Sequence, residues 1–214
     1  MMKRTLILDV IISLVVVALL ILVVNPYLAA FTAVGIILFY SHWSKGIKAE
    51  LGFVRPANVG KTCLTALLLA IGALLVSYFV LMPVYKSLTG VPLSLGAFKH
   101  VPGNFNLLLM SIAGGWIVGG FIEEIVFRAF LITRFGNHLP KKLGLVLGAI
   151  LTSAVFGYLH NYQGITGQLI VGTIGLMLAT VFILNKERIW LNILTHGFIN
   201  TFTFLALYFE IIKV

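Results

Sequence analysis

The run Glu123-Glu124-Ile125-Val126-Phe127-Arg128 decides how this chain folds, because it lies inside the long apolar segment from Phe105 to Phe135. An ionised side chain at the centre of a bilayer costs on the order of 3 kcal/mol. Residues that costly persist only where they are paired or face a polar cavity. We therefore interpret the run as functional, with a structural charge cluster that fixes helix packing as the alternative.

Helical spacing predicts different roles for the two carboxylates. Glu124 and Arg128 are four residues apart, so they share a helix face and can form an ion pair. Glu123 lies about 100° round the helix from Glu124 and has no cationic partner within its own turn. A carboxylate without a counter-charge in an apolar setting is suited to take a proton from water, which makes Glu123 the candidate general base.

Composition predicts an all-α, polytopic transmembrane helical bundle. The 214 residues are 60% hydrophobic and only 10% charged, whereas soluble domains average about 25% charged residues. We expect a single membrane domain, 1–214, with N-terminal spans and loops in 1–104 and a catalytic core in 105–212. The net charge of +9 does not indicate nucleic acid as a partner, because the basic residues cluster in short loops. Cys63 is the only cysteine, which excludes an intrachain disulfide and a cysteine-based metal site.

The apolar stretches predict seven spans, or eight if one of them is broken. Their predicted ranges are Leu6–Val24, Pro26–Trp43, Thr62–Met82, Phe105–Phe135, Leu143–His160, Gly164–Leu184 and Ile189–Ile212. Alternation of these spans puts most basic residues on one side, so we expect a cell-membrane protein with a cytoplasmic N-terminus. We further expect Asp9 to lie near the interface and to snorkel, and His138 to face solvent.

Two more spans carry polar pairs at helical spacing, namely Phe156 with His160 and His196 with Asn200. Three spans that each contribute such a pair are expected to converge on one polar cavity. Counted from the nearest cytoplasmic turn, the depths of Glu123, His160 and His196 spread over roughly 16 Å at 1.5 Å per residue. Convergence therefore requires tilted spans, a protruding end of the fourth span, or a partly unwound helix.

The ordered set Glu123-Glu124-x-x-x-Arg128, Phe156-x-x-x-His160 and His196-x-x-x-Asn200 resembles the CAAX prenyl protease and bacteriocin-processing family of intramembrane proteases. The resemblance covers roughly residues 105–205. It implies a peptide bond hydrolysed by water, with Glu123 as the activating glutamate and Glu124 and Arg128 as its supporting pair. It also implies that His160 and His196 are the catalytic histidines and that Asn200 stabilises the oxyanion.

Metal dependence stays open at this point. Glu123, His160 and His196 could bind a divalent metal such as zinc with one position left for water. In a metal-free version the histidines would donate protons and bind the substrate carbonyl, and this is the version that we favour.

The leading hypothesis is an endopeptidase that acts on a membrane-bound peptide or protein, in peptide processing or bacteriocin self-immunity. Two alternatives remain. One is a non-catalytic immunity or scaffolding protein that binds a membrane partner, and the other is a proton-coupled carrier that uses Glu123 and His160 as a relay. The oligomeric state and the identity of the substrate do not follow from the sequence.

Overall fold

The computed structural model describes residues 2–44 and 51–212, with side chains from residue 6 to 43 and from 51 to 212. Every regular element in these ranges is helical, which confirms the predicted all-α class. Seven long helices follow one another along the described chain, so an eighth span is not found there. The connection between the predicted second and third spans lies partly outside the described residues, since residues 45–50 fall in the gap.

Two of the seven helices contain a π-helical stretch and are named here by their parts. The bounds are α1 (Met2–Leu22), α2 (Pro26–Ser44), α3 (Val59–Val76) running through π1 (Ser77–Leu81) into α4 (Met82–Thr89), α5 (Phe105–Gly114) running through π2 (Gly115–Ile132) into α6 (Thr133–His138), α7 (Lys141–Leu159), α8 (Gly164–Leu184) and α9 (Trp190–Tyr208). Compared with the spans predicted from hydropathy, the third helix is longer at both ends and the fourth helix is longer at its C-terminal end.

Local sequence explains where several helices begin and end. The side chains of Asn58 and Asn104 accept hydrogen bonds from backbone N–H groups in the first turns of α3 and α5, as N-cap residues do. Gly90 follows α4 in the left-handed conformation that favours glycine. Among the described residues, five helices are long and apolar enough to cross a membrane, and α1 contributes a shorter apolar segment. Together with the helical fold, they make this a multi-pass membrane protein.

The π2 segment lies at the centre of the bundle. All of its residues from Glu124 to Ile132 are buried, and α2, α7, α8 and α9 pack around it. Glycines allow these close approaches: a Cβ at Gly120 would lie 3.2 Å from the Ile193 carbonyl oxygen in α9, and a Cβ at Gly148 in α7 would lie 3.1 Å from the Cα of Ile132. The predicted charged run is therefore carried by the most enclosed helix of the fold.

The expectation for Asp9 is wrong, whereas His138 is exposed as predicted, although its ring also contacts Asp9. Asp9 is buried, accepts a hydrogen bond of 2.6 Å from the Tyr40 hydroxyl, and forms ion pairs with Arg134 at 3.2 Å and with His138 at 2.6 Å. These groups join α1 and α2 to α6. A snorkelling carboxylate would instead reach water, and here the C-terminal end of the fourth helix supplies cationic partners inside the protein.

Candidate active site

A cavity of about 1180 Å³ opens between the N-terminal helices and the C-terminal half of the chain. Its walls are mainly apolar, and four of the six predicted site residues line it: Glu123, His160, His196 and Asn200. The other two, Glu124 and Arg128, lie behind its wall and are buried. The structure thus brings the three motifs together, with one carboxylate on the cavity side and one sealed in the protein.

Glu124 is fully buried and contacts three donor groups. Arg128 Nη1 lies 3.0 Å from Glu124 Oε1, so the ion pair predicted from the four-residue spacing forms. His196 Nδ1 lies 2.8 Å from the same oxygen, and Asn192 Nδ2 donates to Oε2 at 3.2 Å. A buried carboxylate needs such donors to offset its desolvation, so this arrangement is consistent with an ionised Glu124.

Arg128 is held on its other sides by a backbone carbonyl and an aromatic ring. Its Nη2 donates to the Gly175 carbonyl oxygen in α8 at 3.2 Å, and its guanidinium carbon lies 4.5 Å from the centroid of the Phe156 ring. A Cβ at position 175 would lie 3.0 Å from the Phe156 ring and 3.4 Å from Arg128 Nη2, so a glycine leaves room for both. The guanidinium is therefore fixed and shielded from the cavity by Phe156.

His196 joins the two carboxylates. Its Nδ1 lies at hydrogen-bond distance from Glu124, and its Nε2 lies 3.9 Å from Glu123 Oε2. An ionised carboxylate only accepts hydrogen bonds, so Nδ1 carries the proton and Nε2 is directed toward Glu123. Glu123 itself is about a quarter exposed, at 23% of its side chain, and reaches the cavity.

His160 is not on the last turn of its helix, as the predicted span had it, but at the C-cap of α7. Its Nδ1 lies 2.8 Å from the Phe156 carbonyl oxygen, which can only accept, so Nδ1 donates and Nε2 is left for another partner. Its ring lies 4.8 Å from the Phe156 ring centroid, and the His196 ring lies 6.1 Å from the same centroid. Phe156 thus packs against both histidines.

Asn200 is positioned by the glycines of the fourth helix. Its Nδ2 donates to the Gly115 carbonyl oxygen at 2.8 Å, which leaves the second N–H of the amide for another acceptor. A Cβ at Gly115 would lie 2.8 Å from the Asn200 Cβ, and a Cβ at Gly119 would collide with the Asn200 amide nitrogen. The close approach of α9 at these glycines therefore places Asn200 on the cavity wall.

Comparison with known families identifies the part of the chain that carries this site. Residues 104–202 match the Rce1-like family of type II CAAX prenyl endopeptidases. This match agrees with the family predicted from the three motifs, and at family level it supports an intramembrane CAAX-type endopeptidase. Comparison with curated proteins and with solved structures gives no match.

The Rce1-like segment contains all six predicted site residues and leaves out the three N-terminal helices. Within the described ranges, no three His, Cys, Asp or Glu side chains are grouped as a metal site requires. Both histidines nevertheless have Nδ1 at hydrogen-bond distance from an oxygen, an orientation that metal ligands also adopt. Binding of a divalent metal such as zinc by Glu123, His160 and His196 therefore stays a prediction.

Two residues of the Rce1-like segment that face the site did not emerge from the sequence. Asn192 contacts Glu124. The sequence feature that could have indicated it is its spacing, because Asn192, His196 and Asn200 follow one another at intervals of four residues and so share a helix face. Tyr162 lines the cavity with its ring centroid 5.6 Å from that of His160. It lies in the 3₁₀ turn Asn161–Gln163, which the sequence alone does not distinguish from an ordinary interfacial loop.

Proposed function

We propose that the protein is an endopeptidase that hydrolyses a peptide bond of a membrane-associated peptide within the cavity, with Glu123 as the general base. The supporting observation is the separation of 3.9 Å between Glu123 Oε2 and His196 Nε2 on the cavity wall. Two polar atoms at this separation can both form hydrogen bonds of about 2.8 Å to one water molecule. That water would lie where a carboxylate can take its proton.

The remaining groups suit the other steps of hydrolysis. As water oxygen bonds to the carbonyl carbon, its proton passes to Glu123 and negative charge develops on the carbonyl oxygen. The free N–H of Asn200 can donate to that oxygen, as can His160 when its Nε2 is protonated. Transfer of the proton from Glu123 to the amide nitrogen then lets the C–N bond break, which releases an acid and an amine. Glu124 keeps His196 in the tautomer and orientation that this geometry needs.

We propose a metal-free reaction, and a chelator distinguishes the two versions. In the metal-free version, cleavage by the purified protein continues unchanged after treatment with EDTA or 1,10-phenanthroline. Loss of cleavage that returns on addition of Zn²⁺ would instead assign Glu123, His160 and His196 as metal ligands.

The apolar cavity walls suit a substrate that approaches from the bilayer. We propose a role in processing a membrane-bound peptide, of the kind that serves peptide maturation or bacteriocin self-immunity. A peptide panel of prenylated C-terminal tails, unmodified tails and hydrophobic leader peptides would identify the class. Preference for the prenylated tails would favour CAAX processing over leader processing.

The decisive variant is Glu123→Gln, which keeps the shape of the side chain and removes its ability to take a proton. We expect kcat to fall by about 10²- to 10⁴-fold, the usual contribution of a general base. Glu210→Gln is the matched control, because Glu210 is exposed beyond the end of α9. Equal cleavage by wild type and Glu123→Gln would refute the proposal. Retained biological protection by a cleavage-deficient variant would favour the immunity or scaffolding alternative.

We also propose a cytoplasmic N-terminus, as the distribution of basic loops predicts. The odd number of long helices in the described chain would then put the C-terminus outside. Single cysteines introduced at Lys142 and at Lys99, in a chain with Cys63→Ser, would test the orientation by labelling with a membrane-impermeant reagent. External labelling at Lys99 alone is expected, and labelling at Lys142 alone would reverse the orientation.

A further inference from the structure

Asn192 is a buried amide that belongs to none of the three motifs. It lies in α9, one helical turn before His196, and is fully buried. Its Nδ2 donates to Glu124 Oε2 at 3.2 Å and to the Leu178 carbonyl oxygen of α8 at 2.7 Å. Each of its two amide protons thus serves one acceptor, and the amide bridges the Glu124 carboxylate to the backbone of a neighbouring helix.

The orientation of the amide follows from its partners. A carboxylate and a carbonyl oxygen only accept hydrogen bonds, so the nitrogen must face both of them. A flipped amide would turn its oxygen toward two acceptors and lose both bonds. The Asn192 amide therefore has one favourable orientation, and in that orientation it holds Oε2 of Glu124 in place.

Fixing Oε2 also fixes the other oxygen of the same carboxylate. Glu124 Oε1 contacts both Arg128 and His196 Nδ1, and His196 Nε2 faces Glu123. Rotation of the carboxylate about its last bond would move Oε1 away from His196 Nδ1. Loss of the Asn192 bond would permit that rotation and release the imidazole.

The contacts of the amide show which of its atoms the fold uses. Asn192 Oδ1 is buried and accepts no hydrogen bond within the described part of the protein, which costs folding free energy. A leucine has the same branching and would avoid that cost, but it would leave Glu124 Oε2 and the Leu178 carbonyl oxygen without this donor. The value of the amide therefore lies in its two donated hydrogen bonds, one of which is to the site.

We propose that Asn192 is a positioning residue for hydrolysis, acting on His196 through Glu124. This inference rests on the proposed function for its catalytic readout. We expect Asn192→Leu to lower kcat by about 10- to 100-fold, the range found when a buried partner that orients a catalytic group is removed. KM should change less than twofold, because Asn192 does not line the cavity. Thr195→Val is the matched control, since Thr195 is equally buried in α9 but donates only to the Leu191 carbonyl of its own helix.

A double-mutant cycle separates positioning from a general loss of structure. If Asn192 acts through Glu124, then Asn192→Leu should cause no further loss of kcat in a Glu124→Gln background. Equal fold losses in both backgrounds would overturn the inference, as would a wild-type kcat for Asn192→Leu. Asn192→Ser serves as the second variant should the leucine variant fail to fold, with the same expected split between kcat and KM.

A spectroscopic measurement makes the test independent of cleavage. The chain has five histidines, so ¹⁵N labelling of their rings gives a spectrum in which His196→Gln assigns one signal. The Nδ1–H signal of His196 should shift in Asn192→Leu and stay in place in Thr195→Val. An unshifted signal would overturn the inference whatever the activity. Inactivity of the wild type on every peptide, together with a shifted signal, would refute the proposed function alone.

Discussion

Replacement of Arg128 by methionine should strongly destabilise the protein, and replacement of Arg128 and Glu124 together should not. Arg128→Met removes the ion pair of 3.0 Å, the hydrogen bond to Gly175 and the contact with the Phe156 ring. It leaves the fully buried Glu124 with its charge uncompensated. Breaking a buried pair from one side costs about 3–5 kcal/mol.

In a chain of this size, 1 kcal/mol corresponds to about 2–4 °C in Tm, so Arg128→Met should lower Tm by about 6–20 °C. In Glu124→Gln/Arg128→Met no charge is buried at this position, and the glutamine oxygen can still accept from His196. We therefore expect most of the lost Tm to return. Cleavage should stay low in the double variant, because a neutral amide stabilises the orientation of His196 less than a carboxylate does.

Thermal unfolding of the purified proteins in one detergent, read by intrinsic fluorescence, measures the first effect, and peptide cleavage measures the second. Recovery of Tm without recovery of activity is the expected combination. A double variant as unstable as Arg128→Met would show that the instability does not come from the unpaired carboxylate. Full recovery of activity would show that the charge of Glu124 is not needed.

Two pairs of glycine variants test how the backbone shapes the site and the fold. Gly115→Ala should lower kcat by about 10²-fold, because the new Cβ would push Asn200 away by up to about an ångström. Gly114→Ala is the control and should cleave like wild type, because nothing lies within 4 Å of its Cβ. Gly52→Ala and Gly90→Ala both impose a left-handed conformation on alanine, at φ 68° and 70°. Gly52→Ala also places its Cβ against the backbone of the Lys186–Arg188 turn, whereas nothing lies within 4 Å of the Cβ in Gly90→Ala. Chemical unfolding should therefore show a free energy of unfolding lower by about 3 kcal/mol or more for Gly52→Ala and by about 1 kcal/mol for Gly90→Ala. Equal effects within either pair would contradict the geometry.

Short-range features of the site were predictable because helical spacing determines them. The separation of Glu123 from Glu124 and the pairing of Glu124 with Arg128 depend only on residues within one turn. The seven helices follow the predicted apolar stretches, but only five of them are long and apolar enough to cross a membrane in the described residues, and α9 is not among these five. The largest difference at an end is in the third helix, which runs to Thr89 instead of Met82. The three motifs, in this order on successive helices, resemble the family more specifically than any one of them does alone.

Long-range contacts could not be derived from spacing. Asp9 and His138 are 129 positions apart, and Asn192 and Glu124 are 68 apart. No local pattern states which helices will be neighbours, so the sequence alone places Asp9, a carboxylate near the end of an apolar helix, at the interface. The π-helical stretch Gly115–Ile132 is likewise invisible to a periodicity that assumes 3.6 residues per turn.

The least conspicuous helix connects these observations. Helix α8 carries no ionisable residue, yet its backbone carbonyls at Gly175 and Leu178 hold Arg128 and Asn192, two of the three donors around Glu124. A carbonyl oxygen cannot be lost by mutation, and it contributes no charge that must itself be paired. The ion pair and the amide are thus anchored to main chain on the side away from the cavity, and the histidine is left as the one donor that also faces Glu123. The orientation of the Glu124 carboxylate therefore affects the cavity through His196.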